Sequence, residues 1–570
     1  MRRAHGVLPS AAVVLSTIAV VMVCCVGAWT QGFPTDWSNR HVVFNHNKPM
    51  TAQQQWNSSR DVRRVVDWMK RTNAALAASA DRSGVAPRTL PLRPAARRMP
   101  VIGTRPAKAL PVPPVGTVDW SASLDGGTLA DGVFPAKWRI RVDTTDPNDW
   151  VVYGTTAGKL IALTNLYSTA PTRKFTYPAT GTYSPITTSP VISALGDKIA
   201  FIESGATSAR LHVVKSDGTG EVTSIDLLAA DKNSSPFVDY SNDVLYVGTD
   251  DGKLHKITGI FEGTPTEQIT GGWPVQVASA AVGGTTYLTS PALYNNYATP
   301  TPGPGIILIG GSFDDRGNTA ATLWLVDLRT MTKANAQIAY ASASIFDGPL
   351  VDIDNRVVYV FTNNNGKQNA RAELAQVVLN VADNMSASFG AITVAQLATG
   401  KLKTTQPIRV GAFDNAWYTT GTGYLVACGI DDNKNSYPSL FSFRVAGATL
   451  TPTPVGSAAL SADRNDSCSP ITEAVSGTTD HFFVGTKLNG ISSNCSASGC
   501  IQQITLSGGI PSVTAGQREA SGTSGIVIDT TNIYNATPGP VANIYFTTLA
   551  PGGNSGGNGP AIQLKQSDLQ

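Results

Sequence analysis

Ser235-Pro236-Phe237-Val238-Asp239-Tyr240, Asp243-Val244-Leu245-Tyr246-Val247-Gly248, Thr249-Asp250-Asp251-Gly252 and Lys253-Leu254-His255-Lys256-Ile257 follow one another near the middle of a 570-residue chain. Each piece has a physical role. Proline is tolerated as the first residue of a strand, so Ser-Pro opens a short apolar one. Val244 to Gly248 is β-branched and aromatic, Asp251-Gly252 is a tight-turn dipeptide, and the last piece alternates apolar and polar residues. Three consecutive antiparallel strands are predicted.

The opening recurs along the chain. Phe134-Pro135-Ala136, Ser189-Pro190-Val191, Ser235-Pro236-Phe237, Ser290-Pro291-Ala292, Gly348-Pro349-Leu350, Gln406-Pro407-Ile408, Ser469-Pro470-Ile471 and Ser524-Gly525-Ile526 begin 55, 46, 55, 58, 58, 63 and 55 residues apart. Small sheets repeated at such a period cannot bury their faces alone and must pack on their neighbours. The prediction is an all-β chain forming a single eight-bladed β-propeller of four-stranded antiparallel blades over residues 117–570. Seven blades is the alternative, because the 46-residue unit is short and the 63-residue unit carries a cysteine-bounded loop. The last unit offers strands near 526–528, 543–548 and 561–565 and then ends. Val118-Asp119-Trp120-Ser121-Ala122, which precedes the first opening, is expected to supply its missing outer strand and close the ring.

The residues ahead of the repeats read differently. Arg2 and Arg3 precede an apolar run from Ala11 to Ala28, so residues 1–30 are an export signal or a retained membrane anchor. Residues 31–86 are read as a helical segment, with the helix itself over 58–79. Residues 87–116 form a Pro/Arg-rich linker. From Arg82 to Lys108 there are seven basic residues and no acidic one, which cannot build a core and predicts an extended tether. Residues 1–118 hold 16 Lys+Arg against 4 Asp, and the remainder 27 against 36, so a total of +3 hides a basic leader and an acidic body.

Export sets an oxidising compartment, and the cysteines agree with it. Cys428, Cys468, Cys495 and Cys500 remain after the leader. Cys495 and Cys500 flank a turn-like tetrapeptide and are expected to pair, leaving Cys428 with Cys468; a four-thiolate metal site is the rival reading.

The unit at 234–257 resembles the repeat of pyrroloquinoline-quinone-like β-propellers, a superfamily that includes quinoprotein alcohol dehydrogenases and the propeller lipoprotein of the outer-membrane assembly machinery. Ser234 to Tyr240 and Gly522 to Ile528 also resemble secreted bacterial propeller proteins without an established function. For a quinoprotein, the resemblance implies a calcium-ligating set, a catalytic aspartate, a disulfide between adjacent cysteines and tryptophan docking motifs. This sequence carries none of those motifs, and Trp120, Trp138, Trp150, Trp273, Trp324 and Trp417 follow no per-blade spacing. No catalytic set, cofactor or metal ligand is therefore assigned.

Other signals are weaker. Asp431-Asp432-Asn433-Lys434-Asn435 lacks the glycine and the final acid of a calcium loop, and Asp314-Asp315-Arg316-Gly317-Asn318 reads as a hairpin tip. His255 and His481 sit on separate strands and are read as packed residues. Asp239, Asp352 and Asp529 fall at equivalent ends of inner strands, and are the candidate ligand site at one mouth of the channel. Trp273, Tyr287, Tyr294, Tyr297, Trp324 and Tyr340 are either a sugar-stacking patch or blade core. The function expected is an exported binding or scaffolding module of the bacterial cell envelope or exterior. The alternatives are an extracytoplasmic hydrolase, lyase or oxidoreductase at the channel mouth, and an envelope assembly factor. Expected partners are an envelope protein or a polysaccharide, with no nucleic acid, and with membrane contact only through an uncleaved N-terminal segment. The chain is read as a monomer.

Overall fold

Eight antiparallel sheets, radiating from one axis, make up the computed structural model of the chain. It describes residues 33–35, 41–43, 118–139 and 147–567, apart from short internal stretches of which the longest are 280–287, 296–304 and 530–540. Each inner strand follows one of the eight openings. They are Ala136–Arg139, Val191–Ile192, Phe237–Asp239, Ala292–Tyr294, Leu350–Asp352, Ala412–Phe413, Thr472–Ser476 and Val527–Asp529, and define blades 1 to 8. The seven-blade alternative is excluded. Blade 3 follows the quoted unit: Phe237–Asp239 pairs with Val244–Gly248, which pairs with Lys253–Thr258. Gly252 turns with φ +79°, and a Cβ there would lie 2.4 Å from the Ala278 carbonyl oxygen.

Blade 8 closes as expected. Val118–Ala122 pairs antiparallel with Ala561–Ser567, so the start of the body supplies the outer strand of the last blade. Apolar packing then runs round the ring in overlapping layers. Trp138 and Phe201 share a cluster between blades 1 and 2, Phe413 and Tyr359 one between blades 5 and 6, and Trp120, Tyr153 and Tyr545 one at the seam of blades 8 and 1. At about 1.5–3 kcal/mol for each large side chain buried, this inter-blade packing is the main source of stability.

Serine at the openings has a second task. The Oγ of Ser189 accepts the Phe134 N–H at 2.9 Å, that of Ser235 accepts the Ser189 N–H at 2.9 Å, and that of Ser290 accepts the Ser235 N–H at 2.7 Å. The repeat thus stitches neighbouring inner strands together. Ser235→Ala would leave the Ser189 N–H buried and unpaired, and a loss of about 1–3 kcal/mol is expected in urea unfolding. A loss within error would show that the stitch contributes nothing.

The last opening departs from the pattern for a physical reason. Gly525 donates its N–H to the Val133 carbonyl at 2.8 Å, which proline cannot do. A Cβ at Gly525 would also stand 2.5 Å from the Phe134 ring. The eighth copy is therefore adapted to the seam.

Both cysteine pairs form: Cys428 with Cys468, Cα atoms 6.4 Å apart, and Cys495 with Cys500, 5.5 Å apart. The first ties blade 6 to the entry of blade 7, and the second fastens the loop before the third strand of blade 7. One short helix, Asn415–Thr420, lies in blade 6. Its N-cap Asp414 accepts the N–H groups of Trp417 and Tyr424 at 2.9 and 3.0 Å.

Burial, reinforced by Asp480, outweighs those hydrogen bonds and pushes the Asp414 carboxyl up to about 6. The folded form thus holds a proton that the unfolded chain has already lost, so stability falls as pH rises from about 4 to 6. Asp414→Asn keeps a capping oxygen and removes the charge. Its stability relative to wild type should increase between pH 4 and 6.5 in parallel urea titrations; an unchanged difference would refute the assignment.

The N-terminal region corrects one part of the sequence reading. Within the segment 31–86 that the sequence assigns as helical, Phe33–Thr35 is instead a strand paired with Ala136–Arg139 of blade 1, and Val42–Val43 one paired with Leu350–Asp352 of blade 5. The predicted helix at 58–79, the linker at 87–116 and the leader at 1–30 lie outside the described residues. Among the described residues no helix is long and apolar enough to cross a membrane.

Candidate functional site

Blades 1 and 5 stand opposite each other in an eight-bladed ring, so the two N-terminal strands lie on facing walls of the axial channel. Phe33–Thr35 runs antiparallel to the inner strand of blade 1, with Phe33 opposite Arg139 and Thr35 opposite Lys137. Val42–Val43 runs parallel to that of blade 5, with Val43 opposite Asp352. Both strands therefore reach the same mouth, the one at the closing ends of the inner strands.

His41 seats this segment at the other end. Its Nδ1 donates to the Gly348 and Pro349 carbonyls at 3.1 and 3.3 Å, and its Nε2 lies 3.7 Å from Asp347 Oδ1. A Cβ at position 348 would lie 3.0 Å from that Nδ1. Serine is missing from the fifth opening where the chain's own N-terminal segment docks.

The aspartates placed at a channel mouth by the sequence do sit at inner-strand ends, and all three are buried. Asp239 accepts from Asn242 Nδ2 at 2.7 Å, and Asp352 from the Asn355 backbone and side chain at 3.0 and 2.8 Å. These two cap their own turns. Asp529 instead joins blade 8 to blade 1: Lys137 Nζ lies 2.5 Å from its Oδ2 and Arg139 Nη1 3.2 Å from its Oδ1. Lys137 also approaches Asp149 at 3.7 Å, and the Tyr167 hydroxyl donates to Asp149 at 2.6 Å. Two acids and two bases thus balance in a site where the Lys137 side chain is 1% exposed. Burial, with Asp529, Tyr545 and Asp149 nearby, raises the Tyr167 hydroxyl far above its usual range.

At the opening ends of the inner strands lies a shallow recess that is open to solvent. Asp131 and Phe134 of blade 1, Thr187 and Ser189 of blade 2, Ser235, Ser290, Phe346, Asp347 and Arg409 line it in ring order. Arg409 from blade 6 spans the mouth to the Asp131 carbonyl at 3.0 Å and its carboxylate at 3.4 Å; Lys487 from blade 7 reaches the same carboxylate at 2.8 Å. Burial pushes the Asp131 carboxyl up, but Arg409 and Lys487 prevail and hold it below the usual carboxylate range. Arg409 Nε and Asp131 Oδ1 are buried without hydrogen-bond partners.

Other sequence candidates resolve into packing. Trp273, Tyr294 and Trp324 are buried in the core while Tyr340 is exposed, and Tyr287 and Tyr297 lie outside the described residues. Asp314 caps its hairpin through the Arg316 and Asn318 N–H groups, and residues 432–436 are not described. His255 is clamped by Glu267 at 2.6 Å and Thr249 at 3.0 Å, and His481 accepts from Gln503 Nε2 at 2.7 Å. His212, which the sequence reading passed over, stands between Glu221 at 2.5 Å and Glu203 at 3.0 Å, one blade before His255 on the equivalent third strand. No group of three or more metal-ligating side chains is found among the described residues.

No protein-family model matches the chain and no curated protein does, so the repeat's resemblance to quinoproteins gains no family assignment. Solved structures similar to it include Sqt1 of Saccharomyces cerevisiae, 12% identical over 79% of this chain and all of that one, with a TM-score of 0.49. The dihydro-heme d1 dehydrogenase NirN, in complex with DHE, is 10% identical over 75% of each chain with a TM-score of 0.42. Kluyveromyces lactis Hsv2 is 10% identical over 65% of this chain and 95% of that one, with a TM-score of 0.35. Likeness at this level carries no statement about activity or partner.

Proposed function

We propose that the chain is an exported binding or scaffolding module of the cell envelope, presenting the recess face to its partner. The observation that carries this reading is the opposed arrangement of the two mouths. Phe33 and Val43 both lie at the aspartate mouth, and the recess opens at the other. A leader and basic tether attached on one face would hold the recess face outward, toward a partner. The two disulfides suit an oxidising compartment, and the buried aromatic packing and ion pairs of the seam suit a rigid platform better than a moving catalytic cleft.

Expression in cells, followed by fractionation and co-sedimentation with purified envelopes, tests it. Wild type should be extracytoplasmic with both cysteine pairs oxidised and should sediment with envelopes, whereas Arg409→Glu, which repels Asp131 across the mouth, should remain in the supernatant. Reduced cysteines in a cytoplasmic pool, or sedimentation indifferent to the recess variant, would sink the proposal.

A further inference from the structure

We infer that the outermost strand of blade 5, Ala387–Gln396, pairs antiparallel with the same strand of a second copy of this chain, so that two rings join edge to edge. A strand that ends its sheet presents a row of unpaired N–H and C=O groups, and any chain with a free edge of its own can add to it. Ala387–Gln396 is such a terminal strand among the described residues. It runs for ten residues and contains neither a charged residue nor a proline. Ile392 and Val394, two residues apart and so on one face of the strand, are 41% and 37% exposed.

The other seven blades protect their edges. The outermost strands of blades 1, 2, 4, 7 and 8, Thr172–Tyr177, Glu221–Asp226, Lys333–Ala339, Ile510–Glu519 and Val118–Ala122, each carry at least one charged residue. Those of blades 3 and 6 are broken into pieces of two to four residues. Blade 5 alone offers a long neutral edge.

That contrast selects the occupant. Glu221–Asp226 laid antiparallel on its own copy would set Glu221 against Asp226, acid against acid, whereas Ala387–Gln396 opposes no like charges in any register. A different partner could answer charge with opposite charge, so it asks for no neutral strand. Ile392 and Val394 are β-branched and suit cross-strand packing. A register shift between Val377 and Leu379 interrupts the pairing of the first half with its inner neighbour, which leaves Ile392–Gln396 as the regular part of the edge. Five residues from each copy make a small contact, in the weak and transient class below about 1,200 Å². The pair therefore forms at raised concentration, and the dilute chain stays single. With one such edge per ring, association stops at two.

Sedimentation velocity of the full chain from about 1 to about 200 μM, the range of weak contacts, tests the inference. The mean mass should climb from one chain to two and level there. Ile392→Lys and Val394→Lys each place lysines of the two copies near one another, and should weaken the dimer at least about tenfold without lowering the melting temperature, because both side chains are exposed. Ile510→Lys, at a 57% exposed isoleucine of blade 7, and Arg409→Glu at the recess should dimerise as wild type does. The second of these keeps the test separate from the recess reading. Hydrogen exchange on wild type reads the same contact without a mutation: alternate amides within Ile392–Gln396 should gain protection between the dilute and the concentrated sample. A mass independent of concentration, growth beyond two chains, a dimer that survives both edge variants or weakens equally in the two controls, or unchanged exchange at that edge would overturn the inference.

Discussion

Lys137→Met is expected to lower the unfolding free energy by about 3–5 kcal/mol, because it strips a buried pair of carboxylates of one of their two cations. Lys137 lies between Asp529 at 2.5 Å and Asp149 at 3.7 Å, with its side chain almost completely enclosed. The methionine fills a similar volume, so the loss measures charge rather than packing. Adding Asp529→Asn to it should restore much of the loss, since Arg139 and Asp149 then balance one another. Urea unfolding followed by tryptophan fluorescence reads both variants. A single-variant loss below about 1 kcal/mol, the size of a surface ion pair, would mean that this network does not hold the seam.

The second large effect concerns the strand that closes the ring. Trp120 is buried, donates its Nε1–H to the Leu166 carbonyl at 2.9 Å and packs against Tyr545 with ring centroids 6.2 Å apart. Trp120→Ala should cost about 3–5 kcal/mol, as for other buried tryptophans. It should also loosen Val118–Ala122 from Ala561–Ser567 and expose that edge to other chains. Trp324→Ala is the control, because Trp324 is equally buried but sits in the middle of blade 4. Both variants should lose stability, and only the first should gain mass in light scattering and become sensitive to proteases near residue 118. If Trp120→Ala remains monomeric and resistant, the closing strand is not what secures the ring.

Both sites lie at the junction of blades 8 and 1, and so does the Gly525 amide that replaces a proline. The ring of one chain is closed inside blade 8, where Val118–Ala122 meets Ala561–Ser567 through strand pairing rather than a direct backbone link, and the backbone then passes from that strand into blade 1. The chemistry that differs from the repeat accumulates there and at the fifth opening, where Gly348 makes room for His41.

Much of the fold was legible from residues close together in the chain. Ser-Pro, an apolar run, Asp-Gly and an alternating strand encode one blade within about 50 residues, since turns and strand periodicity are short-range properties. Eight such units favoured eight blades over seven, and Trp120 lay where the last unit lacked a strand. The short turn between Cys495 and Cys500 pointed to their pairing, with Cys428–Cys468 following by elimination and a four-thiolate metal site as the rival. The aspartates were placed correctly at the strand ends, but nothing local separates a turn cap such as Asp239 from a seam residue such as Asp529. That difference lies in the partner, and Asn242 is three residues away whereas Lys137 comes from the opposite end of the body. A lysine and an arginine flanking Trp138 on an otherwise buried inner strand were the available signal, because such charges are buried only when paired.

The sequence by itself determined the blade, its recurrence and the strand that joins the ends, because each is written in neighbouring residues or in their periodic recurrence, while eight blades rather than seven was decided by the structure. Only the tertiary structure decided that Phe33–Thr35 and Val42–Val43 pair with inner strands on facing walls of the channel, that Arg409 spans a mouth to Asp131, and that a polar recess remains at that end. His41 meets a carbonyl 307 residues away, and Arg409 a carbonyl 278 residues away. Such contacts exist only once the ring has closed, and a closed ring brings together side chains whose pairing no local pattern records.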